Sequence, residues 1–196
     1  DNFHIPEEVW RILPDPKQPD RLWLATANGL FQFQIQSETY TRIASTARFD
    51  TMGILTDLYF DEKGVVWMST TKGFMTGYNP STKEWKVHLI PQSESLPSAQ
   101  KSVHRILPAG KDQAWISTQT GAGKINLETG DVKLWEHDDS RPDGLLPNGG
   151  FRDMLNDRHG RLWITSWHGV QYARQSFMER SSTVTNLRAV ITGMET

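Results

Sequence analysis

The sequence predicts an all-β fold of four propeller blades, each a four-stranded antiparallel sheet, and two observations carry that prediction. The first is an internal repeat. Trp23, Trp67, Trp115 and Trp163 stand 44, 48 and 48 residues apart. Three residues after each comes Thr26, Thr70, Thr118 or Ser166, and six residues after each comes Gly29, Gly73, Gly121 or Gly169. The second is the texture between those marks: short β-type runs separated by turn residues, with no sustained helical period. Four strands in about 45 residues, repeated, is the grammar of a propeller blade.

The elements follow in order within each unit. The first strands are expected over Val9 to Leu13, Ile54 to Phe60, Val103 to Leu107 and Phe151 to Leu155. Turn chemistry comes next, with Asp61-Glu-Lys-Gly64 and Asp157-Arg-His-Gly160 offering glycines free to take positive φ. Blade three has Ala109-Gly-Lys-Asp112 at that place, and blade one a longer Asp15 to Asp20. Each second strand carries the repeated Trp. Third strands run over Leu30 to Phe33, Phe74 to Tyr78, Ala122 to Leu127 and Val170 to Tyr172, and Trp85 to His88 and Val132 to Trp135 lie outermost. The repeated Trp reads as an apolar plate between blades, because residues that build a repeat core must recur in every repeat. Stacking on sugar rings is the functional alternative. Blade limits fall near 5–46, 47–93, 94–141 and 142–180, so residues 1–180 hold the blades and 181–196 form a tail.

Composition narrows the function classes. A net charge of -2, from 21 Lys and Arg against 23 Asp and Glu, gives no electrostatic case for nucleic acid or an anionic membrane. The absence of cysteine removes disulfides, thiolate nucleophiles and zinc–cysteine sites. No apolar run approaches the roughly 18 to 20 residues of a membrane span. The start at Asp1 rather than Met leads to the expectation of a piece of something longer. The histidines show no short metal-ligand spacing, and no phosphate loop, Gly-x-Ser-x-Gly or paired carboxylates are present. No catalytic residue, metal or cofactor is therefore assigned.

Binding residues are sought where the repeat leaves freedom. In a propeller the turn between second and third strands shares one face with the connections between blades. Those turns offer Ala27-Asn28, Thr71-Lys72, Gln119-Thr120 and Trp167-His168. Trp167 and His168 pair an aromatic face with a titratable donor; the alternative is an exposed turn whose Trp packs on the next loop. Aligning the first strands gives Trp10-Arg11, Thr56-Asp57, His104-Arg105 and Arg152-Asp153, so Arg11, Asp57, Arg105 and Asp153 alternate in charge. They form either a structural ring of ion pairs or a set of Arg forks for a carboxylate or sugar hydroxyls. The candidate ligand-binding set is Arg11, Lys72, Arg105, Gln119, Arg152, Trp167 and His168.

The run Asp157 to Tyr172, with its Asp-x-x-Gly-x-Leu-Trp-Ile core, resembles the two-component regulator propeller repeat, and Asp61 to Tyr78 matches nearly as well. The connections Glu94 to Ser98 and Asp143 to Asn148 are similar to that family's Ser-Leu-Pro-x-Asn joint. The likeness covers residues 5 to about 175, and Thr185 to Gly193 resembles the first strand of the Ig-like domain that follows the last blade. The resemblance implies a periplasmic, non-catalytic sensor module of a membrane-anchored two-component or diguanylate-cyclase receptor, with oligosaccharides among its ligands. The Asp-x-x-Gly-x-Leu-Trp unit is also similar to streptogramin lyases, but their catalytic histidine and metal-binding acids have no match here. A purely structural spacer is the third reading. Family propellers usually have seven blades, so four imply a compact four-bladed ring, or completion by further blades of the same protein or by a second copy, of which the paired arrangement is favoured.

Overall fold

The computed structural model describes residues 8–45, 49–92, 97, 101–136 and 150–174, and the backbone of 188–192. The chain divides into two compact units, Asp1–Val103 and His104–Thr196. In the first, β1 (Val9–Pro14), β2 (Arg21–Thr26), β3 (Gly29–Gln34) and β4 (Thr39–Ser45) make one sheet; β5 (Leu55–Phe60), β6 (Val66–Thr70), β7 (Phe74–Tyr78) and β8 (Trp85–Leu89) make the next. In the second, β9 (Val103–Pro108), β10 (Gln113–Thr118), β11 (Gly121–Asn126) and β12 (Val132–Glu136) make one sheet, and β13 (Met154–Asn156), β14 (Arg161–Ser166), β15 (Gly169–Arg174) and β16 (Arg188–Thr192) the other. Every sheet is an antiparallel meander in chain order, so the architecture is all-β and made of four-stranded blades.

Two expectations change. Residues 188–192, read from the resemblance as the start of an Ig-like domain, form a strand that pairs antiparallel with β15, Tyr172 opposite Arg188 and Gly169 opposite Thr192. The free edge of β15 supplies the reason, since its unpaired backbone groups need a ladder. The first strand of blade four is also shorter than Phe151 to Leu155. Over Arg152 and Asp153 the pairing is irregular: Arg152 N–H donates to Thr165 O, while Asp153 N–H donates to the Thr165 hydroxyl oxygen, both at 3.0 Å. The joints Glu94–Ser98 and Asp143–Asn148 lie largely or wholly outside the described residues.

Three of the four repeated Trp residues are held by an acid from their own blade. Trp67 Nε1 donates to Asp61 Oδ2 at 2.8 Å, Trp163 to Asp157 at 2.8 Å, and Trp23 to Asp15 at 3.0 Å across the longer turn. The other oxygen of each carboxylate caps the turn, taking Lys63 and Val65 N–H, His159 and Arg161 N–H, or Lys17 and Gln18 N–H. Blade three has Ala109 where the acid should be, and Trp115 Nε1 is buried without a hydrogen-bond partner among the described residues. Asp157 shows how tightly the clamp holds its charge. Partial loss of water raises its pKa, but the Trp163 indole, the Arg161 backbone and guanidinium and the His159 backbone lower it far more, leaving it well below the usual carboxylate range.

The repeated Thr and Gly staple the next turn. Thr26 and Thr118 hydroxyls donate to Gly29 O and Gly121 O at 3.0 and 3.2 Å, and Ser166 accepts His168 N–H. Gly29 and Gly169 need glycine for their positive φ, +119° and +129°. Gly121 needs it for space, because a Cβ there would stand 2.0 Å from Trp135 O.

Alternation along the second strand gives each blade two faces. In the first unit Trp23 projects from β2 against blade two, meeting Phe60 and Tyr78 edge-on at 6.0 Å, in a core shared with Leu55, Leu58, Val66 and Met68. In the second unit Trp115 and Trp135 pack on Phe151, Met154, Leu162 and Ile164 of blade four. The residues flanking Trp67 or Trp163 thus receive the plate of the blade before. Trp23, Trp67 and Trp115 are essentially buried. Trp163 is half-buried, with the Arg161 guanidinium lying over it and over Tyr172 at 5.2 and 5.0 Å.

Candidate functional site

The first strands supply the site's floor, and they depart from regular pairing where they do so. In β1 and β5 the register slips between Val9 and Arg11 and between Leu55 and Asp57, which leaves Trp10 and Thr56 as bulged residues. A bulge re-aims a side chain out of the ladder. Thr56 meets the Ser69 hydroxyl at 2.8 Å. The next residue in each first strand carries the alternating charges. Arg11 Nε pairs with Asp57 Oδ1 at 2.9 Å in the first unit, and Arg105 Nε with Asp153 Oδ1 at 2.9 Å in the second. Within each unit the charges therefore meet as ion pairs between neighbouring blades. Asp57 is almost completely buried, so removing Arg11 would take an ion-pair partner from a buried carboxylate. Arg11 and Arg105 act as ties before they act as ligand forks.

In the first unit the β6–β7 turn is bound to the connections on either side. Thr71 exchanges bonds with Ile54, its N–H donating to Ile54 O and its hydroxyl accepting Ile54 N–H, both at 3.0 Å. Its carbonyl accepts the Ser102 hydroxyl at 3.0 Å. Lys72 Nζ donates to Asp50 O at 3.0 Å. This ammonium fastens the incoming connection rather than standing open. Beside it a pocket of about 200 Å³ lies between the β2–β3 turn and that connection, lined by Ala27, Phe49, Asp50 and Ile54.

The second unit brings the other candidates together. Gln119, in the β10–β11 turn, is half-buried, and its Oε1 lies 3.1 Å from His104 Nε2 on the first strand of the same blade. Trp167, in the β14–β15 turn, is 71% exposed. The Arg152 guanidinium lies over its ring, 5.5 Å from the centroid, in cation–π contact. Gly150 sits between these groups and its φ is +64°. A methyl carbon on Gly150 would stand 3.2 Å from each of Arg152 Nε, Gln119 Nε2 and Trp167 Nε1. Burial lowers the His104 pKa below the ordinary imidazole value; the Gln119 bond opposes this and the Arg152 charge adds to it. A neutral imidazole with its proton on Nε2 donates to Gln119 Oε1 and leaves the amide nitrogen facing Gly150. His168 is exposed, and its backbone N–H serves the Ser166 turn.

Of the seven expected residues, Gln119, Arg152 and Trp167 converge. Arg105 is tied beside them to Asp153, His168 stands at the turn's tip, and Arg11 and Lys72 belong to the first unit. Sequence reasoning missed His104 and Gly150. His104 was visible as the equivalent of Trp10, Thr56 and Arg152, and Gly150 as the second of two glycines ahead of an apolar strand.

Four meander blades, each with the repeated Trp on its second strand and three of them with that Trp clamped by Asp, make this a β-propeller repeat protein. The family described as two component regulator propeller matches over residues 145–168. Among solved structures, the chain is similar to the extracellular domain of a hybrid two-component system of B. thetaiotaomicron, at 20% identity and a TM-score of 0.70, covering 96% of this chain and 23% of that one. It also resembles an inactive variant of virginiamycin B lyase from Staphylococcus aureus, at 13% identity and a TM-score of 0.66, covering 87% of this chain and 53% of that one. Among curated proteins it is 28% identical over 170 residues to the photosystem II assembly lipoprotein Ycf48 of Synechococcus sp. (strain RCC307). That match covers 82% of this chain, which spans about half (48%) of the relative's length.

Proposed function

We propose that the chain is a non-catalytic ligand-sensing module from the extracytoplasmic part of a membrane-anchored signalling receptor, with oligosaccharides as its ligand class. The observation that carries the reading is the convergence, around Gly150, of three side-chain donors, one of them the indole of Trp167, a residue left 71% exposed. An exposed aromatic face with a few directed polar groups is the usual make-up of a site that orients a ligand rather than transforms it. His104 leans on an amide rather than a carboxylate, and burial outweighs what that bond adds to its basicity for proton abstraction. The family repeat and the likeness to a receptor's extracellular domain support the receptor context.

A panel of oligosaccharides screened by thermal shift tests this. A binder raises the melting temperature by mass action, and Trp167→Ala should remove the shift without lowering the ligand-free melting temperature by more than a degree or two. A panel without any stabilising member, against a protein that melts cooperatively, would leave the spacer reading in its place.

A further inference from the structure

The geometry points to a second binding site, on the outer half of blade three, that takes a phosphate monoester carried on a hydroxyl-rich body such as a sugar. A cleft of about 630 Å³ lies in the second unit against β10, β11 and β12, lined by Gln113, Lys124, Asn126, Asp131, Lys133 and Trp135. Gln113, Asn126 and Asp131 stand at the strand ends remote from the β10–β11 turn that holds Gln119, so this is not the sensing site proposed above. Lys124 and Lys133 are directly opposed on β11 and β12, and both side chains leave the same face of the sheet. The Lys124 ammonium lies over the Trp115 ring, 5.2 Å from its centroid, and the Lys133 ammonium over Trp135, at 5.0 Å. The indoles hold both cations at one wall, where their like charges oppose each other.

Comparison between blades marks this pair as a departure from the repeat. The two positions in line with the plate Trp hold Gln32 and Thr41 in blade one, Gly77 and Lys86 in blade two, and Tyr172 and Arg188 in blade four. Only blade three has two cations there. In blade four the cation over the plate, Arg161, pairs with the clamp acid Asp157, whereas blade three has Ala109 in place of that acid. One face therefore loses the clamp's negative charge and gains two positive ones. The scaffold needs neither change, since the other blades are built without them.

Charge selects the ligand. A phosphate monoester carries about −1.5 to −2 at neutral pH, which two ammoniums match, whereas a carboxylate or sulfate ester brings a single charge. Ammoniums act as point charges and suit a tetrahedral group, while planar carboxylates favour Arg forks. The remaining lining groups suit a hydroxyl-bearing body. Asn126 Oδ1 accepts Glu128 N–H and Thr129 N–H in the hairpin, at 2.9 and 3.1 Å, so Nδ2 is the end it offers a ligand. Asp131 takes the Thr129 hydroxyl at 2.7 Å and has capacity to accept from a sugar hydroxyl as well. Its one negative charge against two ammoniums leaves the lining net positive.

Isothermal titration of the whole chain tests this with D-glucose 6-phosphate, D-glucose 6-sulfate, D-glucose and inorganic phosphate. The 6-phosphate is expected to bind about tenfold or more tighter than each of the other three. Lys124→Gln and Lys133→Gln should each weaken it about tenfold, and Lys63→Gln, at an exposed turn of blade two, by less than about twofold. Both lysines pack on indoles, so Lys124→Arg and Lys133→Arg accompany them; these keep the charge and should retain most of the affinity. Equal binding of the 6-sulfate, a monoanion of the same shape, would overturn the inference even if every variant failed to fold. Equal binding of inorganic phosphate would overturn the sugar body. A loss at Lys63→Gln as large as at Lys124→Gln would replace the site by a diffuse field. If the 6-phosphate does not bind, the site is refuted, and the oligosaccharide panel with Trp167→Ala still decides the sensing function.

Discussion

At the scale of single residues, the Asp–Trp clamp shows what one side chain contributes, because blade three is a natural deletion of it. Ala109 N–H donates to Gln113 O at 3.1 Å, as Asp61 N–H does to Val65 O, so the turn keeps its backbone without the acid. Ala109→Asp should therefore give Trp115 Nε1 its missing acceptor and raise stability by about 1 kcal/mol in urea unfolding, whereas Asp61→Ala should cost about 1–3 kcal/mol. A lower stability for Ala109→Asp would mean that the carboxylate cannot reach the indole. The clamp was legible as Asp at six residues before Trp, and its absence in blade three equally so. The hydrogen bond itself was not, since turn composition does not show which way a carboxylate points. His104 gives a second prediction. Burial holds its folded pKa below the unfolded one, so on lowering the pH the unfolded chain takes the proton first. Stability is whole above the ordinary imidazole value of about 6.5 and is lost as the pH falls through the lower folded one. The urea midpoint should drop between about pH 7 and pH 5, and His104→Asn should flatten that part of the curve. An unchanged slope would assign the titration to another histidine.

At the scale of elements, the second strand does the structural work and the turn after it is released for binding. Trp115 stands in the core of the second unit with Trp135 at 5.8 Å, while Trp167 stands on a turn. Trp115→Ala should destabilise by about 3–5 kcal/mol through cavity formation, and Trp167→Ala by far less. Equal losses would contradict the division between scaffold and site. The strands were legible because each is short, β-rich and fenced by turns, and β7 matches its expected span residue for residue. Blade four resisted, because Thr165 breaks the ladder through its hydroxyl and β16 lies beyond a long connection. The hairpins between third and fourth strands share a left-handed residue at Glu38, Lys83 and Gly130, yet only Gly130 announces it by type. The pairing of Arg11 with Asp57 and of Arg105 with Asp153 followed from aligning repeats, a comparison between blades rather than within one. The convergence over Gly150 did not, because it joins two turns and a connection whose approach is set by tertiary packing.

At the scale of the whole molecule, each unit buries one blade's Trp plate against the next blade, and the repeat gives every blade a face of the same kind. Blade four still shows Leu155 at 61% exposure and a half-buried Trp163. Apolar surface left in water costs about 25 cal/mol per Å². Light scattering on the purified chain is expected to report twice the monomer mass, as two copies cover each other's blades. A cooperative monomer would exclude that pairing. The clamp described above bears on how such a chain is made. Asp61 reaches Trp67 and Asp157 reaches Trp163 across six residues, and each blade's sheet joins only strands adjacent in the chain. Links over longer stretches, such as Asn156 Nδ2 to Pro108 O, tie finished blades to each other. Contacts that local form early, so a blade can close on itself soon after it leaves the ribosome, and growth proceeds one blade at a time from the N-terminal end.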